Sequence, residues 1–140
     1  MFLLDTNVLS ELRRAGRGDA RVRDWARGTQ AGLFWVSAIS VLEIELGILL
    51  VERRDPAQGV QLRTWLERQV LPGFEGRILP VDTLVARQCA ALHVPDLRSD
   101  RDALIAATAL VHGLTVVTRN VSDFKPTGVA LLNPWVGADA

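Results

Sequence analysis

MFLLDTNVLSELRR, residues 1–14, carries an apolar run straight into Asp5, followed by Thr6 and Asn7. Residues 2–4 read as a short buried strand, which puts Asp5 at its carboxyl end beside low-dielectric core. An unpaired charge is costly there, and its neighbours Thr6 and Asn7 supply no cation to meet it. The partner has to come from elsewhere in the fold or from solution.

Beyond this opening the pattern alternates. Residues 6–14 read as a helix ending near Gly16, and residues 19–27 as a second, with Val22, Trp25 and Ala26 at helical spacing. LFWVS (33–37) is a strand, and a longer helix runs from Ile39 to Arg53. Pro56 suits the first turn of a helix over 56–70, and Pro72–Gly73 breaks it. RILPV (77–81) is a strand, Thr83 to Leu92 a helix, and a helix over 101–112, capped by Asp100 or a neighbour, ends at Gly113. LTVVT (114–118) is the cleanest strand and VALLN (129–133) a last short one. Strands alternating with helices predict an α/β fold, with a mostly parallel sheet of four to five short strands covered on both faces. No linker or shift of composition divides the chain. The expectation is a single domain over 1–135 and a flexible tail over 136–140.

The composition fits a folded protein: 140 residues, 49% hydrophobic, 23% charged, formal net charge zero. Nothing global marks a nucleic-acid binder, although the basic residues are fifteen Arg and a single Lys, Lys125. One cysteine, Cys89, rules out an internal disulfide framework and a Cys-cluster zinc site, and reads as a small buried thiol. MFLL is too short for a signal peptide, and no apolar run reaches membrane-span length. The expected setting is the cytoplasm.

Ligands of parallel sheets bind beyond the carboxyl ends of the strands. Asp5 ends the first strand. Glu43 sits near the start of the helix after strand 33–37, Asp102 at the start of the helix that leads into strand 114–118, and Asp123 in the TRNVSDF loop after that strand. Topology thus sets four carboxylates on one rim. Like charges repel by roughly 1 kcal/mol at 4 Å in water and about four times that near a protein surface. Either some are protonated or a cation neutralises them. Oxygen donors without His or Cys suit magnesium or manganese rather than zinc. Taken singly, each acid also passes as a cap, turn or solvated residue; the argument rests on their sharing an edge.

Other features have plainer readings. Residues 11–28 hold Arg13, Arg14, Arg17, Arg21, Arg23 and Arg27 against Glu11, Asp19 and Asp24, which suits RNA phosphates or simply the polar faces of two helices. Arg119 lies just after strand 114–118, near the acids. Trp25, Trp35, Trp65 and Trp135 read as core, and His93 and His112 as helix-end residues. SAISVLEIELGILLV carries more apolar surface than one sheet face covers, which suggests a helix–helix interface. A P-loop is absent. Asn7 stands where an aspartyl phosphatase needs a second acid, and DTNVLSE lacks the glycines of a dinucleotide-binding turn.

Three segments, MFLLDTNVLSEL, SAISVLEIELG and DRDALIAATALVHGLTVVTRNVSDF, resemble PIN-domain proteins, specifically the VapC toxin ribonucleases; the C-terminal NPW (133–135) points to their FitB-like branch. The likeness runs from residue 1 to about residue 135. It implies a three-layer sandwich and an acidic pocket in which Asp5, Glu43 and Asp102 match metal ligands. The fourth pocket position falls on Asp123 or Asn120, with Asp123 favoured because it is the acid. Thr6, Asn7 and Thr118 match polar residues that line such pockets and steady the acids or their waters. The implied activity is Mg2+- or Mn2+-dependent cleavage of RNA by a metal-bound water, without a protein nucleophile. The implied partners are an RNA substrate, a second copy of the chain, and a VapB-like antitoxin with a DNA-binding domain. A PIN-type module that dimerises and captures a partner without cutting is the alternative.

Overall fold

A computed structural model of the chain describes residues 1–14 and 16–136. Five strands, β1 (Phe2–Leu4), β2 (Phe34–Ser37), β3 (Ile78–Leu79), β4 (Thr115–Val117) and β5 (Leu131–Leu132), form one sheet in the order β3-β2-β1-β4-β5. Every pairing is parallel, with Leu3 opposite Trp35 on one side and Val116 on the other. Parallel neighbours need crossovers, and helices supply them here: α1 (Thr6–Arg13), α2 (Ala20–Arg27), α3 (Ala38–Arg54), α4 (Pro56–Trp65), α5 (Leu71–Gly73), α6 (Thr83–Leu92), α7 (Asp100–His112) and α8 (Val121–Phe124).

Successive strand residues point to opposite faces, so β1 feeds two cores. Leu3 and Val116 pack with Val85 and Cys89 of α6, with Ile105, Ala106 and Ala109 of α7, and with Phe124. Leu4 and Val117 pack with Val8 and Leu9 of α1, Val22 of α2, and Ile44 and Ile48 of α3. This is the expected three-layer α/β arrangement. Gly113 ends α7 in the left-handed region at φ 67°, which an L side chain enters only at a cost.

The differences from the sequence reading are local. The helix expected to break at Pro72 instead widens into a single π turn over Leu66–Val70 and runs on through α5 to Gly73. Pro72 follows closely on that wider turn and lacks the N–H that a continuing helix needs, and the helix ends one residue later at Gly73. The strand expected over 77–81 pairs only at Ile78–Leu79, and Pro80 has no N–H to extend the ladder. TRNVSDF is not all loop: residues 121–124 form α8, a single turn too short to show helical periodicity. Of the expected tail, Val136 is exposed, and residues 137–140 lie outside the described residues. Among the described residues, no helix is long and apolar enough to cross a membrane.

The strand order has a consequence for the site. From β1 the chain moves outward through β2 and β3, then returns to place β4 and β5 on the other side. The carboxyl ends of β1 and β4 therefore flank the switch point, where the helices diverge and leave a crevice.

Candidate active site

Asp5 ends β1 at this switch point. Its N–H donates to the Val117 carbonyl at 2.9 Å, closing the β1–β4 ladder, and the chain turns directly into α1. Asp5 caps that helix, with Oδ1 accepting from the Thr6 N–H at 2.8 Å. Thr118, the residue after β4, donates its hydroxyl to Asp5 Oδ2 at 2.8 Å. The Asn7 amide is farther from Oδ2, at 3.4 Å, and also reaches Thr118 Oγ1 at 3.3 Å.

Helix N-termini favour carboxylates, yet here burial wins. Asp5 is 5% exposed. Burial pushes its carboxyl up from 3.8 to about 6 against the hydrogen bonds from Thr118 and Thr6, and the charges of Glu43 and Asp102 add to the rise. The bland reading of Asp5 as a cap is correct but incomplete, because a cap alone does not require burial among like charges.

Glu43, on α3, is tied to α1 by the Thr6 hydroxyl, which donates to its Oε1 at 2.8 Å. Its other oxygen stands 3.8 Å from an Arg101 guanidinium nitrogen. Asp102 lies in the first turn of α7; burial raises its carboxyl, and the charges of Asp123 and Glu43 raise it further. Asp5, Thr6, Asn7, Glu43, Asp102 and Asn120 all line one open cleft of about 500 Å³.

The structure therefore gathers most of the expected residues. Thr118 is fully buried beneath the cleft rather than on its lining, and acts through Asp5. Of the two candidates for the fourth position, Asn120 lines the cleft. Asp123 is exposed on α8 and makes itself felt through the rise in Asp102. Glu45 faces away and pairs with Arg63. Ser10, Arg13, Arg14 and Trp135 also line the cleft. A sequence signal did exist for the α1 residues: Thr6, Ser10 and Arg13 recur at helical spacing along one face. Trp135 had none, because it arrives from the far end of the chain.

Among the described residues, no three His, Cys, Asp or Glu side chains stand together as a ready-made metal cage. The donor set nevertheless suits a hard cation that keeps most of its water. Magnesium is commonly held by one or two carboxylates, its remaining positions going to water and substrate phosphates. Asp5 accepts three hydrogen bonds with about four lone-pair sites, and Asp102 faces the same cleft. The nearest guanidinium nitrogen leaves Glu43 only loosely paired.

A parallel sheet with an acid at the end of its central strand, and further carboxylates on the crossover helices around it, is the architecture of a PIN domain. The family model for the PIN domain matches residues 2–127, and the chain belongs to that family, among its VapC and FitB toxins. It is 37% identical over 140 residues to the VapC ribonuclease Y4jK of Sinorhizobium fredii, covering 96% of this chain and 98% of that one. It is 40% identical over 141 residues to the toxin FitB of Neisseria gonorrhoeae, covering 96% and 99%. The crystal structure of FitAcB from Neisseria gonorrhoeae matches with a TM-score of 0.86 at 39% identity, over 96% of this chain and 99% of that one. FitAB bound to a DNA fragment matches equally well, at 37% identity over 97% and 96%.

Proposed function

We propose that this chain is the toxin of a toxin–antitoxin pair, a metal-dependent endoribonuclease that hydrolyses RNA phosphodiesters with an activated water. The observation that carries the reading is Asp5: a buried carboxylate, pushed to about 6, at the floor of a cleft rimmed by Glu43 and Asp102. A fold that needed only a helix cap would have no reason to bear that cost.

In this reading Asp5, Glu43, Asp102 and Asp123 supply the negative charge that holds magnesium, or manganese in its place. When bound, such an ion polarises a phosphoryl oxygen and lowers the pKa of its water to make a nucleophile. The chain's own residues set the stage. Thr118 and the Thr6 N–H hold the Asp5 carboxylate in one orientation. The Thr6 hydroxyl fixes Glu43, and Asn7 and Asn120 line the same wall with neutral polar groups that can hold water. No Ser, Cys or His nucleophile is required.

The FitAB complex on DNA supports an antitoxin partner with a DNA-binding part, whose release frees the cleft in the cytoplasm. Leu42, Leu46, Leu49 and Leu50 leave α3 with an exposed apolar stripe, which supports a homodimer. Leu46→Glu should then shift the chain from dimer to monomer in sedimentation.

The decisive experiment maps cuts on total cellular RNA with antitoxin-free protein in magnesium and in manganese, wild type beside Asp5→Asn. Cleavage by the first and none by the second is expected. RNA that stays intact under both metals while still binding the protein would leave the chain a binding module.

A further inference from the structure

An acidic cleft poses a problem for an RNA nuclease. Asp5, Glu43 and Asp102 repel the polyanion they are meant to cut, and an ion at their centre offsets that repulsion only locally. Phosphates to either side need positive charge of their own, placed so that the carboxylates do not consume it.

Two arginines on the cleft meet that description. Arg13, near the end of α1, and Arg119, directly after Thr118, both line it and are both exposed. Each guanidinium sits over an indole: Arg13 lies 5.9 Å from the Trp65 ring centre and Arg119 lies 5.6 Å from that of Trp135. Both distances fall within cation–π range. Among the described residues neither arginine has a carboxylate within ion-pair distance, whereas Arg14 pairs with Glu11 at 3.7 Å and Arg101 approaches Glu43 at 3.8 Å. An indole restrains a guanidinium without occupying its N–H edge, which keeps the planar fork available to a phosphate.

Topology sets the two pairs apart. Arg119 follows β4 and Trp135 follows β5, on one side of β1 in the strand order. Trp65 ends α4, which continues from α3 after β2, on the other side. Asp5 lies between them at the end of β1. Trp135 is only 7% exposed, too buried to serve as a stacking platform for a base. Its place is to hold the Arg119 guanidinium, while the Arg119 backbone N–H donates to Asn7 Oδ1 at 3.4 Å.

We infer that Arg13 and Arg119 bind the RNA phosphates on either side of the one cleaved, with Trp65 and Trp135 as their positioning residues. This rests on the nuclease reading and goes beyond it by assigning the track of the strand.

The test measures binding rather than cleavage. Full-length protein carrying Asp5→Asn is titrated with a labelled single-stranded RNA across a range of KCl. Each phosphate contact on a single strand contributes about 0.7 to the slope of log affinity against log salt. Arg13→Gln and Arg119→Gln should each reduce the slope by about 0.7, and together by about 1.4. Arg119→Lys, which keeps the charge, should retain the slope, as should Arg87→Gln on α6, away from the cleft. Trp135→Leu should weaken binding about fivefold, the loss of part of one charge-assisted contact, when Arg119 is present, and hardly at all in Arg119→Gln, a coupling that a purely structural tryptophan does not produce. If Trp135→Leu fails to fold, the arginine slopes still decide. Intact RNA binding with unchanged slopes overturns the inference and leaves the nuclease reading standing. Absence of RNA binding in every protein, including the Asp5→Asn parent, overturns both. Unchanged RNA binding with lost binding of polyglutamate assigns the arginines to an acidic protein partner and also overturns the inference.

Discussion

The Thr118 hydroxyl donates to Asp5 Oδ2 at 2.8 Å, joining two residues 113 positions apart. Thr118 Oγ1 in turn accepts from the Asn120 N–H at 2.9 Å and the Asn7 amide at 3.3 Å. A hydroxyl has one proton to give and two lone pairs, so this one is used to capacity. Thr118 is fully buried, and what it ties together is the floor of the cleft: the ends of β1 and β4, the start of α1, and the loop that bears Asn120.

Thr118→Val should therefore cost more than a surface hydroxyl would. It leaves the Asn120 N–H and the Asn7 amide short of an acceptor and Asp5 short of a donor, for a loss of about 1–3 kcal/mol. Thr118→Ser should restore most of it. Urea unfolding of the three proteins at one pH measures this, and a Val variant as stable as the Ser variant would contradict it.

Asp5→Asn should stabilise the metal-free protein, in a pH-dependent way. The folded carboxyl titrates near 6 against 3.8 when unconstrained. Below the lower value both states hold the proton and the group is neutral to stability. Between the two, the native state keeps a proton that the unfolded state gives up, so stability falls as pH rises, and above the upper value the whole penalty is present. A shift of this size is worth about 3 kcal/mol at most, less the poorer fit of an amide against the Thr6 N–H. Denaturation in EDTA should show Asn ahead of Asp by about 1–3 kcal/mol at pH 8 and the gap closing toward pH 4. A gap that is flat with pH would show that burial of the charge is not what Asp5 endures.

Asp123 and Asn120 should separate by what they do to Asp102. The charge of Asp123 contributes to the raised Asp102 carboxyl, so Asp123→Asn should move that titration down toward the ordinary carboxylate range. Asn120→Ala removes no charge and should leave it nearly in place. Carboxyl-carbon NMR titrations of both variants read this directly. In the proposed site, Asp123→Asn should also weaken manganese binding, seen by the paramagnetic broadening of its neighbours. An unmoved Asp102 titration would place Asp123 outside the site's electrostatics.

Gly59→Ala tests the α3–α4 contact that carries Trp65. In most exposed helices that change gains about 1 kcal/mol. Here the added Cβ would stand 2.5 Å from Glu52 Cγ and 3.0 Å from Glu52 Cα on α3. The side-chain atom can swing aside, but the backbone atom cannot without parting the helices. A net loss of about 1–2 kcal/mol in thermal or urea unfolding is expected, with Glu52→Ala in the same background returning part of it. A gain in stability would mean that α4 is free to shift.

The sequence by itself determined the elements, their alternation and the edge on which the acids lie. Hydrophobic runs of strand length between amphipathic helices leave little but a parallel α/β sheet, and direction alone puts Asp5, Glu43 and Asp102 at its carboxyl end. What it could not supply was the order of the strands, because a run such as LTVVT carries no mark of which neighbour it will pair with. Only the tertiary structure set β4 beside β1, bringing Thr118 onto Asp5 and making the switch point between them. It alone decided that Asn120 lines the cleft while Asp123 stands on a single-turn helix nearby. The same holds for Trp135, which reaches the cleft beside Asp5 and Thr6 from the far end of the chain. Local periodicity is fixed by neighbours in sequence and can be read there. The charge state of a carboxylate depends on burial and on groups a hundred residues away, which meet only when the chain has folded.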